Sequence, residues 1–457
     1  MRSVATITPP AASFRRTYLT EPSILTVVRE RQLTHVLRAF IITGVLFMLL
    51  PGTFLGVWNL LSISSHTAFG GPPAAWLQAH GHAQIFGWLG SFIMGIGFYS
   101  LPSGRRTTLR KAWTCWAMWL SGVSLRWFAG VYAYEWRLLL PLSALLELTA
   151  FAVFYKALSG HRPQRPSGPL PVAAPTWIGA VLLGTIGFGT ALVANAIAAC
   201  VVTIEGVDPA MPPAFNQRWL VLVAWGFLVP TVFGFTARWL PTFMGLSAPN
   251  ERTLRAALRL IIIGCVFAAF GWMMLSSIVL TIACGCAIAG LRVSARAERP
   301  AKTRGVHASM PIFIRLAYVW LLVSAVLSIL AAGIDRHNGY WGASRHALTV
   351  GFLAAMVFTI GPRILPHFAG VKNIYSTRLM FFVLLLINAG CLVRVSSEIV
   401  AYEYFYATAW RLLPVSAVLE LLAVSLFAAN ILFTFAFSPT TFVDTCFAPQ
   451  HGAIAEN

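Results

Sequence analysis

"HAQIFGWLGSFIMGIGFYSLP" (82–102) and "HALTVGFLAAMVFTIGPRILP" (346–366) align without a gap, and 8 of 21 positions are identical. His82 falls opposite His346, Gly87 opposite Gly351, Gly97 opposite Gly361, and a Leu-Pro pair closes both runs. Each run is apolar and long enough to cross a bilayer as a helix. "VLVAWGFLVPTVFGFTARWLP" (221–241) is a third copy. It keeps Gly226 opposite Gly87, Gly234 opposite Gly95 and the final Leu-Pro, with Val221 where the others have His. One apolar helix occurring three times, far apart in the chain, predicts a fold built from repeated units.

Working outward, apolar stretches predict twelve helices near 39–61, 79–102, 112–133, 137–158, 176–202, 217–242, 254–272, 275–294, 311–333, 345–366, 377–401 and 406–436. The seventh and eighth share one apolar run and must turn near Trp272–Ser276. The repeated run is the second, sixth and tenth helix. "WRLLLPLSALLEL" (136–148) and "WRLLPVSAVLEL" (410–421) match in the fourth and twelfth. The expected fold is therefore an all-α polytopic membrane protein of twelve transmembrane helices. They form three parallel four-helix units around a pseudo-threefold axis along the membrane normal. Units 39–158, 176–294 and 311–436 are separated by a Pro- and Gly-rich linker (159–175) and a basic loop (295–310). They are flanked by a basic tail (1–38), without a leader-like apolar core, and a C-terminal tail (437–457).

Composition agrees. The 457 residues are 58% hydrophobic and 10% charged, with mean hydropathy +0.75, more apolar surface than a soluble domain buries. A net charge of +19 would suit nucleic acid, but its distribution removes that reading. With the N-terminus cytoplasmic, 26 of 33 Lys and Arg fall on one side. The other holds only Arg126, Arg137, Arg218, Arg336, Arg345, Arg394 and Arg411. That asymmetry is the positive-inside rule. It predicts both termini in the cytoplasm of a bacterial inner membrane and the two histidines at the outer face. The bilayer is the partner, and no nucleic acid is expected. The seven Cys form no framework; "CGC" at 284–286 reads as small apolar packing more than as a soft-metal site.

His82 and His346 hold equivalent places. Imidazole is a good axial ligand for haem iron, and two facing each other would hold a six-coordinate haem; otherwise they are polar residues at wet helix starts. Gly87 and Gly351 would let a flat macrocycle approach the backbone. Arg126, Arg137, Arg394 and Arg411, on equivalent helices, would take the propionates; Trp-Arg at 136–137 and 410–411 suits an interfacial anchor equally. His80 points about 200° from His82 on a helix. It would suit copper or zinc with His66 and His337. Glu147 and Glu420 are a further repeat-related pair, as proton carriers or as ion-pair partners of Arg126 and Arg394.

These features resemble two related groups. Twelve helices in three arcs, with His on the second and tenth, are similar to the catalytic subunit of haem–copper oxidases. That resemblance also calls for histidines in helices six and seven, and helices 6–8 here have none. The usual oxygen- or nitric-oxide-reducing binuclear centre is thus not encoded. The "HxH" opening His80-Gly81-His82 and the "HALTVG" run from His346 to Gly351 resemble the NnrS family more closely. This resemblance implies a haem- and copper-containing membrane protein tied to nitric oxide metabolism or tolerance, with nitric oxide as small-molecule partner and a b-type haem expected. A solute transporter, or an assembly or metal-delivery factor for a respiratory enzyme, are the competing readings.

Overall fold

The computed structural model describes residues 24–66, 71–100, 107–159 and 175–437. Residues 1–23 and 438–457 of the expected tails, most of the 159–175 linker and Leu101-Pro102 lie outside these residues. Helix dominates. α1 spans 24–65, α2 74–100, α3 Leu109–Tyr132, α4 Trp136–Ser159, α5 Thr176–Glu205, α6 Pro213–Met244 and α7 Glu251–Ala269. They are followed by α8 Met273–Leu291, α9 Met310–Ile334, α10 Gly339–Phe368, α11 Thr377–Tyr404 and α12 Ala407–Phe437. Nine of these are long and apolar enough to cross a membrane by length and composition. The protein is a multi-pass helical membrane protein.

The expected edges move in places for physical reasons. α1 begins well before residue 39, because Leu33, Val36, Leu37 and Phe40 are buried and carry the helix through a charged stretch. Arg38, which the hydropathy pattern reads as a terminus, donates to the Ala369 carbonyl at 2.8 Å. The α7–α8 turn falls at Phe270–Trp272, where Gly271 has φ +82°, a conformation L side chains rarely adopt.

Each helix packs on its successor, and α12 packs back along α1, so the helices form a closed ring. α2, α6 and α10 share a further feature: each passes through a π-helical segment. These segments are Ala83–Gly90, Leu222–Leu228 and Ala347–Ala354. They begin one residue after His82, Val221 and His346, the register of the sequence repeat. α1 has a fourth, Met48–Phe54, around Pro51. A π turn leaves carbonyls without their ordinary partner. In α1 three of them go to side chains: Met48 O to Thr53 Oγ1 (2.8 Å), Pro51 O to Trp127 Nε1 (3.2 Å) and Gly52 O to His80 Nδ1 (2.8 Å).

Close approach is sharpest where α5 crosses α6. A Cβ on Gly187 would collide with the Gly226 carbonyl, which is backbone and cannot yield cheaply. Gly187→Val is expected to cost about 1–3 kcal/mol by overpacking, read as a lower unfolding midpoint in detergent. An unchanged midpoint would show that the two helices separate freely.

Candidate functional site

Polar side chains gather at one end of the bundle, where α2 and α10 begin. On α10, His346 is half-buried. Its Nδ1 lies 2.9 Å from the Gly342 carbonyl and 3.0 Å from Glu398 Oε2 on α11. A carbonyl oxygen only accepts, so Nδ1 carries a proton, and in the neutral ring Nε2 keeps its lone pair. Glu398 also binds Arg394 Nη2, 3.3 Å away and four residues earlier on the same helix. Gly342 makes room for this carboxylate, which a Cβ there would strike. Arg394 Nε and Nη1 and Glu420 Oε1 are buried with no hydrogen-bond partner. Among buried polar atoms such vacancies are exceptions that call for a ligand, ion or water.

His80 adopts the same arrangement from α2. Its Nδ1 donates to the Gly52 carbonyl in the α1 π segment, which again leaves Nε2 with a free lone pair. The ring lies against Gly56, where a Cβ would sit 2.6 Å from its Cε1. His346 and Arg394 lie close enough to His80 to interact with it electrostatically, so the three share one neighbourhood.

His82 is held differently. It is 2% exposed, and its Nε2 donates to Glu147 Oε1 at 2.8 Å, leaving Nδ1 buried without a partner. Phe86 lies beside the imidazole, 4.7 Å between centroids, and stacks in turn on Trp219. Aromatic side chains thus flank the ring. Glu147 also interacts electrostatically with Arg126, which is 5% exposed. In place of the ion pair with Arg126, Glu147 bonds to His82, and Arg126 interacts with it only electrostatically. In the third unit Arg394 bonds to Glu398, and not to Glu420 as the repeat implies.

Sequence reasoning missed Glu398. The signal was Arg394-x-x-x-Glu398 inside an apolar run, the one-turn spacing of a helical ion pair.

Other expected residues lie elsewhere. A Cβ on Gly87 would meet Phe47, and one on Gly351 would meet Trp320, so both glycines seat an aromatic ring of the preceding helix where a macrocycle was expected. Arg137 lies over the Trp136 ring at 4.5 Å and donates to the Gly206 carbonyl, as an anchor would. Arg411 borders a surface cleft with Ser64, Ser65 and Trp410. The copper trio is not brought together. His66 bonds to the Ser62 carbonyl, His80 to Gly52, and His337 lies 3.9 Å from Glu403. Among the described residues, no three His, Cys, Asp or Glu side chains converge as a metal-binding group.

Near His337 the loop after α9 is fastened by carboxyls. Glu403 accepts from the Arg336, His337 and Gly339 N–H groups, and Asp335 from Trp341 N–H. Burial, with the Glu403 carboxyl beside it, pushes the Asp335 carboxyl above its ordinary value. A carboxyl raised by folding stabilises the protein below the ordinary value, and that contribution is lost as pH rises through the folded value. Unfolding midpoints of the wild type should therefore fall relative to Asp335→Asn as pH rises above about 3.9. Parallel profiles for the two proteins would refute it.

With this geometry in hand, comparison with known proteins is decisive for family. The sequence profile described as NnrS protein matches residues 37–436. The chain belongs to the NnrS family. The NnrS match takes in every polar group described above. Among solved structures, a haem–copper terminal oxidase dimer determined by cryo-EM is similar, with a TM-score of 0.69 over 89% of this chain and 84% of that chain. Identity is 12%, so this likeness extends the NnrS assignment only to the fold. No curated protein matches the sequence.

Proposed function

We propose that this NnrS-family protein is a haem-binding membrane protein of nitric oxide metabolism or tolerance. His346 and His80, at the histidine end of the bundle, would hold the haem iron. The observation that carries this is the shared state of the two rings: each has Nδ1–H committed to a backbone carbonyl and Nε2 free. Metal-binding histidines are oriented in just this way by the partner of the other nitrogen. His82, favoured by the repeat, is committed to Glu147 through Nε2. The remaining donors fit the group as well. The unpartnered N–H groups of Arg394 suit a propionate. Bound there, a haem would supply an iron that passes electrons, and that could take a diatomic gas only where one imidazole gives up its place. Glu398 holds the His346 ring in place, and Gly56 leaves room for the His80 ring. For copper, the described residues offer no convergent donor set, and no step is assigned to it.

The fuller topology belongs to the same reading: twelve spans in three four-helix units, with both termini cytoplasmic and the haem toward the outer face. The matching π segments, the closed ring and the positive-inside asymmetry support it. The test is a visible spectrum with metal analysis of the purified, detergent-solubilised protein. A Soret band with iron is expected. Colourless, folded protein would overturn the assignment and favour a transporter.

A further inference from the structure

α2, α6 and α10 touch through Phe86–Trp219, Trp88–Phe358 and Phe233–Phe352 but leave a gap along part of their facing sides. Between them lies a cavity of about 120 Å³ whose walls are almost wholly apolar. Its lining follows the repeat. Leu89, Leu228 and Leu353 stand at one level, and Ile93, Val232 and Val357 one turn further along. Each set is a single column of the gap-free sequence alignment. The cavity therefore lies where the three copies face one another, starting at the far end of the π segments from the histidines.

The two hydroxyls in the wall are already used. Thr231 Oγ1 donates to Phe227 O at 2.7 Å, and Thr236 Oγ1 to Val232 O at 2.8 Å while also meeting Tyr318 Oη at 2.9 Å. Water needs two to four polar partners to occupy a buried site, and this wall offers almost none. An engineered apolar cavity of about 150 Å³ stays dry and admits benzene or xenon. This one is somewhat smaller. Its volume suits a guest of a few atoms.

We propose that this axial cavity is a binding site for small, uncharged, apolar molecules, the class that includes xenon and dissolved diatomic gases. Such a guest needs no hydrogen bond and gains dispersion contacts with a wall that lacks partner atoms on one side. The site is separate from the polar cluster at His80 and His346, and its occupancy does not depend on haem.

Xenon-pressurised crystals of the full-length protein test this by anomalous scattering. The expected result is a xenon peak between Ile93, Val232 and Val357, lost in Val357→Phe, whose ring fills the space. Should Val357→Phe fail to fold, Val232→Phe from the opposite wall serves instead, with the unfolding midpoint recorded for each. No peak on the axis while xenon appears elsewhere in the same crystals would overturn the proposal. So would ordered water or an acyl chain in the cavity, or a peak that persists in the filled variants.

Discussion

His346→Ala is expected to abolish the Soret band of the purified protein, and His80→Ala to abolish it or leave a high-spin spectrum, whereas His82→Ala keeps low-spin haem. The argument is one of tautomers. At His346 and His80 the proton sits on Nδ1, bonded to Gly342 O and Gly52 O. The lone pair that can bind iron is Nε2 in both. At His82 the proton is on Nε2, directed at a buried Glu147 carboxyl. Losing His82 costs packing and a hydrogen bond and leaves the other rings as they are. The three variants separate the alternatives. Loss in His82→Ala with retention in His80→Ala would return the ligand to the repeat-related position. Normal spectra in both His80→Ala and His346→Ala would remove the haem from this end of the bundle.

Glu398→Ala should be among the most damaging single changes outside the ligands. Glu398 is 5% exposed; it accepts from Arg394 and lies 3.0 Å from His346 Nδ1. Removing one partner of a buried ion pair leaves the other charged and desolvated, at a cost of about 3–5 kcal/mol. Arg394 already has two nitrogens without partners, so it has no second acceptor to turn to. Glu398→Gln keeps the shape and a hydrogen-bonding oxygen, and the expected loss is smaller. The measurement is the unfolding midpoint of each variant in detergent. Similar midpoints for Glu398→Ala and the wild type would show that water reaches Arg394.

The same residue shows where reading the sequence stops. Repeat logic finds features present in two units, and it singled out His82 and His346 near the helix starts and the carboxyl pair Glu147 and Glu420. By the spacing that matches Arg126 to Arg394, the counterpart of Glu398 is Gly130, which packs against Ala75 and Ala79. In the third unit Gly342 vacates the facing position and the carboxylate occupies it. The exchange of bulk between two helices is a tertiary fact, with no trace in either helix alone. The π segments were equally out of reach. Their composition is ordinary apolar helix, and packing against neighbouring helices decides the hydrogen-bond register. Span positions, by contrast, followed from hydropathy because a bilayer leaves backbone groups few ways to be satisfied.

Because α12 lies along α1, the order in which the chain visits its helices matters less than the circle they complete. A gene rearranged to start at α5 and finish at α4, with a linker from α12 to α1, would rebuild the same neighbours in a different order of synthesis. Each helix's place is set by the neighbours on either side, and that order is what the rearranged gene would preserve.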